Sequence, residues 1–261
     1  MAPLSSPQKN NPKRQRLKQS LRSLIEFRGA SELDQSQFQS TARKLYDGPA
    51  GAVLYLASKL SLHDPLVGRI IKTRRFDVTE FRNILDIGAG AGQILGHLLR
   101  ETHPEARLVA CDLSHQMLKR ARTRMGSPRP NYLSADMTCL PFQDASFDCV
   151  TCGWVLEYLK DPRHGLAEIY RVLQPGGSLF LMATEDRFSG MLNSATWKCR
   201  TYNRIELQQA FEETGLPWKE QHWFTPIHQF LKLGGIIVEA TKSPEEADES
   251  EATAVTSAAQ S

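Results

Sequence analysis

The stretch NILDIGAGAGQ, Asn83 to Gln93, decides how the chain folds. NILDI is a short, mainly apolar run closed by turn residues, which reads as a buried strand. Gly88, Gly90 and Gly92 follow at intervals of two. Glycines there let the backbone turn tightly and let a ligand approach where a Cβ would block it. AGQILGHLLRET then reads as a helix. Strand, glycine loop and helix form the unit with which an open parallel sheet binds nucleotide-like ligands. The spacing is GxGxG, and the position three after Gly90 is Gln93. The dinucleotide fingerprint needs its third glycine at that point, so the loop alone does not identify the ligand.

Downstream of residue 82 the texture alternates. RNILDI (82–87), ARLVACD (106–112), NYLSAD (131–136), SFDCVTCG (146–153) and GSLFLMAT (177–184) read as strands. Helical patterns follow the first two strands, the fourth and the fifth, with Ser114 and Asn203 as N-caps and Gly215 as a C′ residue. The third and fourth strands are joined by MTCLPFQDA alone. HGLAEIYRVL (164–173) ends at Pro175-Gly176-Gly177. WKEQHWF and GGIIVEAT close the chain as two strands with no helix expected between them, so one should run antiparallel, as a hairpin. The expectation is an α/β fold: a seven-stranded, mostly parallel sheet with helices on both faces. Residues 19–75 read as short amphipathic helices broken by Gly29, Gly48-Pro49 and Asp64-Pro65, a helical lid over a domain spanning 76–242. Residues 1–18 and 243–261 read as disordered tails, basic and acidic respectively.

Three acids narrow the ligand. Asp86 lies two residues before Gly88, where a carboxylate suits an ammonium group better than a pyrophosphate. Asp112 closes the second strand, twenty residues after Gly92, where it can accept from both ribose hydroxyls. Asp136 closes the third strand, where it can accept from an exocyclic purine amine. A ligand with an amino-acid end, a ribose and an adenine fits all three. Each acid also has a plainer reading: Asp86 bonded to the loop's own amides, Asp112 as a loop acid or alternate cap, and Asp136 as a turn former before Leu140-Pro141.

LDIGAGAG, VACDLSHQMLKRAR, LSADMTCLPFQDASFDCVTC and EIYRVLQPGGSLFLM together resemble the successive signature segments of class I S-adenosylmethionine-dependent methyltransferases, which have a Rossmann-like sheet. The resemblance is to the small-molecule branch that includes the quinone-biosynthesis C-methyltransferases and the biotin-pathway carboxyl methyltransferase. It is strong over about 82–184 and weak over 200–240. It implies S-adenosyl-L-methionine as cofactor, with Asp86, Gly88, Ala89, Gly90 and Gly92 at its methionine moiety. It further implies Asp112 at the ribose, Leu113 on the adenine, Asp136 at the adenine amine and Met137 at the ring edge, with Met117 and Cys152 completing the pocket. It also places Tyr46, in KLYDGPAG, near the site.

Methyl transfer from a sulfonium has a good leaving group, so positioning and water exclusion do most of the work. A base is needed only where the acceptor must lose a proton. Weak catalytic candidates are Tyr46, His63, Glu157 and Tyr158, with Trp154, Glu185 and Asp186 also on the acceptor side. Glu157 reads as readily as a solvated helix acid, His63 as a capping histidine, and Trp154 and Tyr158 as core aromatics. After the fourth strand the chain has Cys152-Gly153-Trp154-Val155, not the Pro-Pro-aromatic run of base-amino methylating enzymes nor the Pro-Cys of RNA cytosine-5 enzymes. A small-molecule acceptor, lipid-like or aromatic, is therefore expected ahead of RNA or protein. The reading from another class is a non-catalytic cofactor-binding or scaffold protein.

Composition sets outer bounds. Of 261 residues, 41% are hydrophobic and 23% charged, ordinary for a globular chain. Residues 1–30 carry seven Lys/Arg against Glu26, and 241–261 carry Lys242 against five acids, so of the net +3 only about +1 falls on 31–240. That argues against a nucleic-acid-binding field on the folded part. The five cysteines have no metal-set spacing; Cys149 and Cys152 sit in a strand, so no metal site is expected. The N-terminus lacks an apolar h-region and no run approaches the ~20 residues of a membrane helix. A cytoplasmic protein is the expectation.

Overall fold

β1 (Asn83–Ile87) leaves only Asn83 partly exposed, as a strand with neighbours on both edges and helices on both faces must. The computed structural model describes Asp47 and residues 63–186, 199–231 and 234–244. The expected tails and most of the expected lid lie outside these residues. The described chain runs α1 (His63–Lys72), β1, α2 (Gln93–Glu101), β2 (Arg107–Asp112), α3 (His115–Met125), β3 (Pro130–Ser134), β4 (Phe147–Gly153), a 3-10 turn (Leu156–Tyr158) and α4 (Pro162–Val172). It continues with β5 (Leu173–Ala183), α5 (Arg204–Glu213), β6 (Trp218–Gln221), α6 (Pro226–Leu231) and β7 (Ile236–Thr241). Among the described residues no helix is long and apolar enough to cross a membrane.

The seven strands form one sheet in the order β3-β2-β1-β4-β5-β7-β6. All neighbours pair in parallel except β7, which is antiparallel to both β5 and β6. One strand runs backwards, as expected, but α6 occupies the connection before it. α6 escaped notice because its apolar residues do not face a core: Ile227, Phe230 and Leu231 are exposed. β5 also starts earlier than expected. α4 passes straight into it at Leu173, and Pro175-Gly176-Gly177 form an irregularity where Phe147 pairs Leu173 but Cys149 pairs Ser178.

Alternation along each strand divides the core in two. Leu85, Ile87, Leu179 and Leu181 face the layer of α4 and α5. Ile84, Phe180, Met182 and Ile237 face the other, where α1 contributes Val67, Ile70 and Ile71, and Phe76 stacks on Phe180. The last helix of the 19–75 segment is thus part of the helical layer, fixed by the Asp64 pairs to His97 (2.8 Å) and Arg124 (2.6 Å). Ser114, Asp161 and Asn203 cap α3, α4 and α5 by accepting the amides of Met117, Arg163 and Ile205. β1 to β2 winds one way and β4 to β5 the other, so a crevice opens at the carboxyl ends of β1 and β4.

The β3–β4 connection, which carries Asp136, is tied down by one side chain. Arg171 donates to the carbonyls of Leu140 (2.8 Å) and Phe142 (2.7 Å), to Asp144 (2.8 Å) and to both oxygens of Glu168. Glu168 in turn accepts the Leu140 amide at 2.6 Å. Arg171→Met should lower stability by about 2–3 kcal/mol and speed amide exchange across 136–145 ahead of the sheet. Hydrogen exchange read by mass spectrometry checks this, and uniform loosening of the whole domain would contradict it.

Candidate functional site

Asp112 fastens the crevice. It ends β2, and its two carboxylate oxygens accept the amides of Gly90 (2.8 Å) and Ser114 (2.7 Å). Burial pushes this carboxyl up, against the pull of those two amides, and Asp47 nearby adds to the rise. Each oxygen keeps a second lone pair for a hydroxyl donor. Ser114 also donates from Oγ to Asp47 at 2.5 Å, which brings Asp47 to the same corner. Sequence reading singled out Tyr46, which lies outside the described residues, and passed over its neighbour Asp47.

The loop above needs its glycines for different reasons. Gly88 has φ +65°, and a Cβ on it would stand 2.0 Å from Val155 Cγ2. Gly90 has φ +51°, and a Cβ there would meet nothing nearer than the Gly88 carbonyl at 3.9 Å, so its outer side faces open space. Ala89 donates its amide to the Cys111 carbonyl, knitting the loop to β2. The N-cap of α2, Gly92, offers no side chain to the first amides of that helix.

Asp86 lies beneath the loop, 1% exposed. Thr151, its register partner on β4, donates to Oδ1 at 2.8 Å. Oδ2 has no hydrogen-bond partner among the described residues. Burial raises this carboxyl to about 7, and the negative field of Asp112 adds to the rise. A buried acid with one oxygen unmatched fits a ligand that brings its own donor, such as an ammonium. The sequence offers a loop amide as the plain partner; the hydrogen bond comes instead from Thr151, 65 residues away.

The remaining cofactor candidates divide by exposure. Asp136 stands two residues beyond β3, not at its end, and its Oδ1 accepts the amide and hydroxyl of Thr138 (2.9 and 2.8 Å). The turn-forming role is therefore real, with Oδ2 outside these two bonds. Leu113 is half-buried beside Asp112. Met117 and Met137 are buried, the latter against Gly165, so a ligand at Met137 meets the backbone rather than the side chain. Cys152 is fully buried, and burial holds its thiol well above the ordinary range.

On the acceptor side the outcome differs from a solvated surface. Glu157, in the 3-10 turn after β4, is 1% exposed. Its Oε1 accepts the Thr184 amide at 2.7 Å, while Oε2 has no partner among the described residues. Burial raises it to about 7. Glu185 instead forms a two-point ion pair with Arg204 (2.9 and 3.1 Å), which removes it as a free acceptor-side acid. Trp154 has φ +57°, a strained backbone for an aromatic residue, and its amide is held by the Met182 carbonyl. Tyr158 is half-buried, and Asp186 donates its amide to Tyr202. Tyr202, which sequence reading passed over, donates its hydroxyl to the Leu156 carbonyl at 2.5 Å and roofs the Glu157 turn. The His63 side chain lies outside the described residues; its backbone opens α1.

Residues 85–181 match the family described as a methyltransferase domain. That stretch is similar to a methyltransferase domain. It holds Asp86, the glycine loop, Asp112, Asp136 and Glu157. The chain is 34% identical over 149 residues to a demethylmenaquinone methyltransferase of Clavibacter sepedonicus, covering 57% of this chain and 60% of that one. It is 42% identical over 98 residues to a malonyl-[acyl-carrier protein] O-methyltransferase of Hahella chejuensis, covering 38% and 35%. The matched regions thus span less than two thirds of either relative. Among solved structures, a magnesium protoporphyrin IX methyltransferase of Synechocystis with bound SAH superposes with TM-score 0.62 over 78% of this chain and 99% of that one, at 12% identity. The methyltransferase from a Haloferax volcanii complex with the Trm112 activator superposes at 0.62, 21% identical, over 79% and 98%. The described sheet and helices therefore have the fold expected for them.

Two consequences of this geometry can be measured. Gly88→Ala should destabilise by about 1–3 kcal/mol, since both φ and Val155 oppose it. Adding Val155→Ala should recover the steric part only, as read by denaturant unfolding. Asp86 and Glu157 are raised from 3.8 and 4.5 to about 7. Their folded forms hold protons that the unfolded chain releases, so the stability they contribute is full below about pH 4 and is lost as pH rises through 7. Between pH 5 and 8 stability should therefore fall, by on the order of a few kcal/mol, and Glu157→Gln should flatten that slope. A slope unchanged in both Glu157→Gln and Asp86→Asn would refute the assignment.

Proposed function

We propose that the chain transfers a methyl group from S-adenosyl-L-methionine to a small-molecule acceptor. The observation that carries this reading is the buried Asp86 carboxylate, one oxygen unmatched, directly beneath a glycine loop held by Asp112. A pyrophosphate would be repelled there, whereas an ammonium would be paired. When bound, S-adenosyl-L-methionine supplies an electrophilic methyl on a sulfonium. In this reading Asp86 takes the ammonium, the Gly88–Gly92 loop lies along the methionine moiety, and Asp112 accepts the ribose hydroxyls with its remaining lone pairs. Leu113, Asp136 and the Met137 backbone border the adenine, while Ala89, Met117 and Cys152 back the pocket by packing.

Glu157 is the described candidate suited to proton traffic, because a carboxyl near 7 can take up and release a proton at neutral pH. Its service is needed only for acceptors that must be deprotonated. The named relatives are methyltransferases of demethylmenaquinone and of malonyl-[acyl-carrier protein], which supports a small acceptor. Nucleic acid is not among the partners we infer, as the middle of the chain carries almost no net charge. All five cysteines are free, and three are buried, which supports a reducing, cytoplasmic setting.

Calorimetry with S-adenosyl-L-methionine tests the reading. One saturable site is expected, with Asp112→Ala weakening it about 10–100-fold. Affinity should rise about tenfold per pH unit below 7 as Asp86 ionises, and Asp86→Asn should abolish that dependence. An absence of binding by the unaltered chain would sink the proposal. Incubation with a metabolite extract, read as S-adenosylhomocysteine release, then separates an enzyme from a cofactor-binding scaffold.

A further inference from the structure

At the far edge of the sheet from Asp112, three potential ligands converge that are distant in sequence. His222 follows β6 and is fully buried, yet neither ring nitrogen has a hydrogen-bond partner among the described residues. Nδ1 lies 3.8 Å from a carboxylate oxygen of Glu220 and Nε2 lies 3.6 Å from one of Glu239. Both gaps are too long for hydrogen bonds. Two buried, unpaired ring nitrogens are costly unless something else meets them.

The backbone is shaped to bring these groups together. Trp218 pairs Ala240 while Glu220 pairs Glu239, so two residues of β6 advance against one of β7. Without that bulge Glu220 would share a face with Trp218, which packs edge-on against Phe211 in the α5 layer. With it, Glu220 joins Glu239 and His222 on the face of Phe180, whose ring lies 6.0 Å from the imidazole. The His222 amide donates to the Ile237 carbonyl at 2.8 Å, which fixes the imidazole's root.

We propose that His222, Glu239 and Glu220 form a divalent-metal site suited to Zn2+. One ligand atom from each residue lies within 4.8 Å of the others. Tetrahedral Zn2+ with bonds near 2.0–2.1 Å sets its ligands about 3.3 Å apart, close to the His222–Glu239 gap. The Glu220 side chain, 63% exposed, swings in to complete the set and marks the entry route. Two carboxylates and a neutral imidazole balance a divalent charge, and the mixed N/O set favours Zn2+ over Mg2+ or Ca2+. Lys219 stands on the other oxygen of Glu239, 3.6 Å away and largely exposed, a weak competitor that metal binding displaces or tolerates. The ion would clip the four-residue edge strand β6 to β7, independent of the methyl-donor site.

The test uses the full chain, stripped with a chelator and titrated with Zn2+ by calorimetry, with Co2+ as a spectroscopic probe. One ion per chain is expected, with a d–d spectrum of tetrahedral intensity and slower amide exchange across 218–222 and 236–241. Mg2+ and Ca2+ should leave all three readouts unchanged. Glu239→Gln and His222→Gln should weaken Zn2+ by at least the ~10–100-fold that loss of a supporting partner costs a metal site. Glu220→Gln, on an exposed side chain that cannot unfold the chain, should weaken it in the same direction. Zn2+ affinity unchanged in Glu220→Gln and Glu239→Gln, a thiolate-type Co2+ spectrum from the free cysteines, or no stoichiometric binding would each overturn the site. S-adenosyl-L-methionine binding, measured alongside, should be the same with and without Zn2+, so failure of either site is read separately.

Discussion

The Asp112 carboxylate is where the glycine-loop half of the sheet is held together. It reaches forward to the Ser114 amide and sideways to the Gly90 amide, so one half-buried carboxylate orders the starts of two strand-to-helix turns. That arrangement depends on the β1–β2 register, in which Asp86 lies opposite Ala110 and Ile87 opposite Cys111. A slip of one residue would turn Asp112 away from the loop and reverse every apolar residue of β2. Two amide bonds offset part of the burial of Asp112, and Ser114 carries the connection on to Asp47. The cradle is therefore held by polar bonds between turns, resting on an apolar sheet that cannot shift.

Two other acids in the domain follow a different rule. Asp86 and Glu157 are each bonded through one oxygen and unmatched at the other, one near the carboxyl end of β1 and one in the 3-10 turn after β4. Three other partly buried or buried acids are ion-paired instead: Asp64 with His97 and Arg124, Glu168 with Arg171, Glu185 with Arg204. The contrast separates acids that hold the fold from acids that wait for a partner. Leaving a carboxyl half-satisfied inside a core sacrifices stability, and such sites are kept where ligand or proton chemistry repays it.

Much of this was legible beforehand because the signals are local. The glycine loop, the caps Ser114 and Asn203, and the change from helical to alternating periodicity at residue 82 all show within a few residues. Asp86 and Asp112 could be picked out because strand ends in such a sheet line one crevice. Asp136 was only half legible, since its turn with Thr138 moves it past the strand. What escaped was set by tertiary contact. Glu157 looks like a solvated helix acid until Tyr202 covers its turn. Glu185 finds Arg204 nineteen positions on, across residues with no readable pattern. The His222 cluster depends on a bulge that no periodicity announces, and α6 has no buried face to give it away.

The strand order has a consequence for the history of each molecule as well as for its architecture. β6 is synthesised before β7 but touches the sheet only through it, since β7 lies between β5 and β6. On the ribosome β1 to β5 can therefore assemble as a parallel block, with Asp86, the glycine loop and Asp112 in place, while β6 has nothing to pair with. The edge closes only once the last strand has emerged and inserted backwards. During that interval β5 presents an open, apolar margin of the kind that chaperones shield and that neighbouring chains can capture. The last strand of the sheet to be made is thus the one that makes the sheet safe to release.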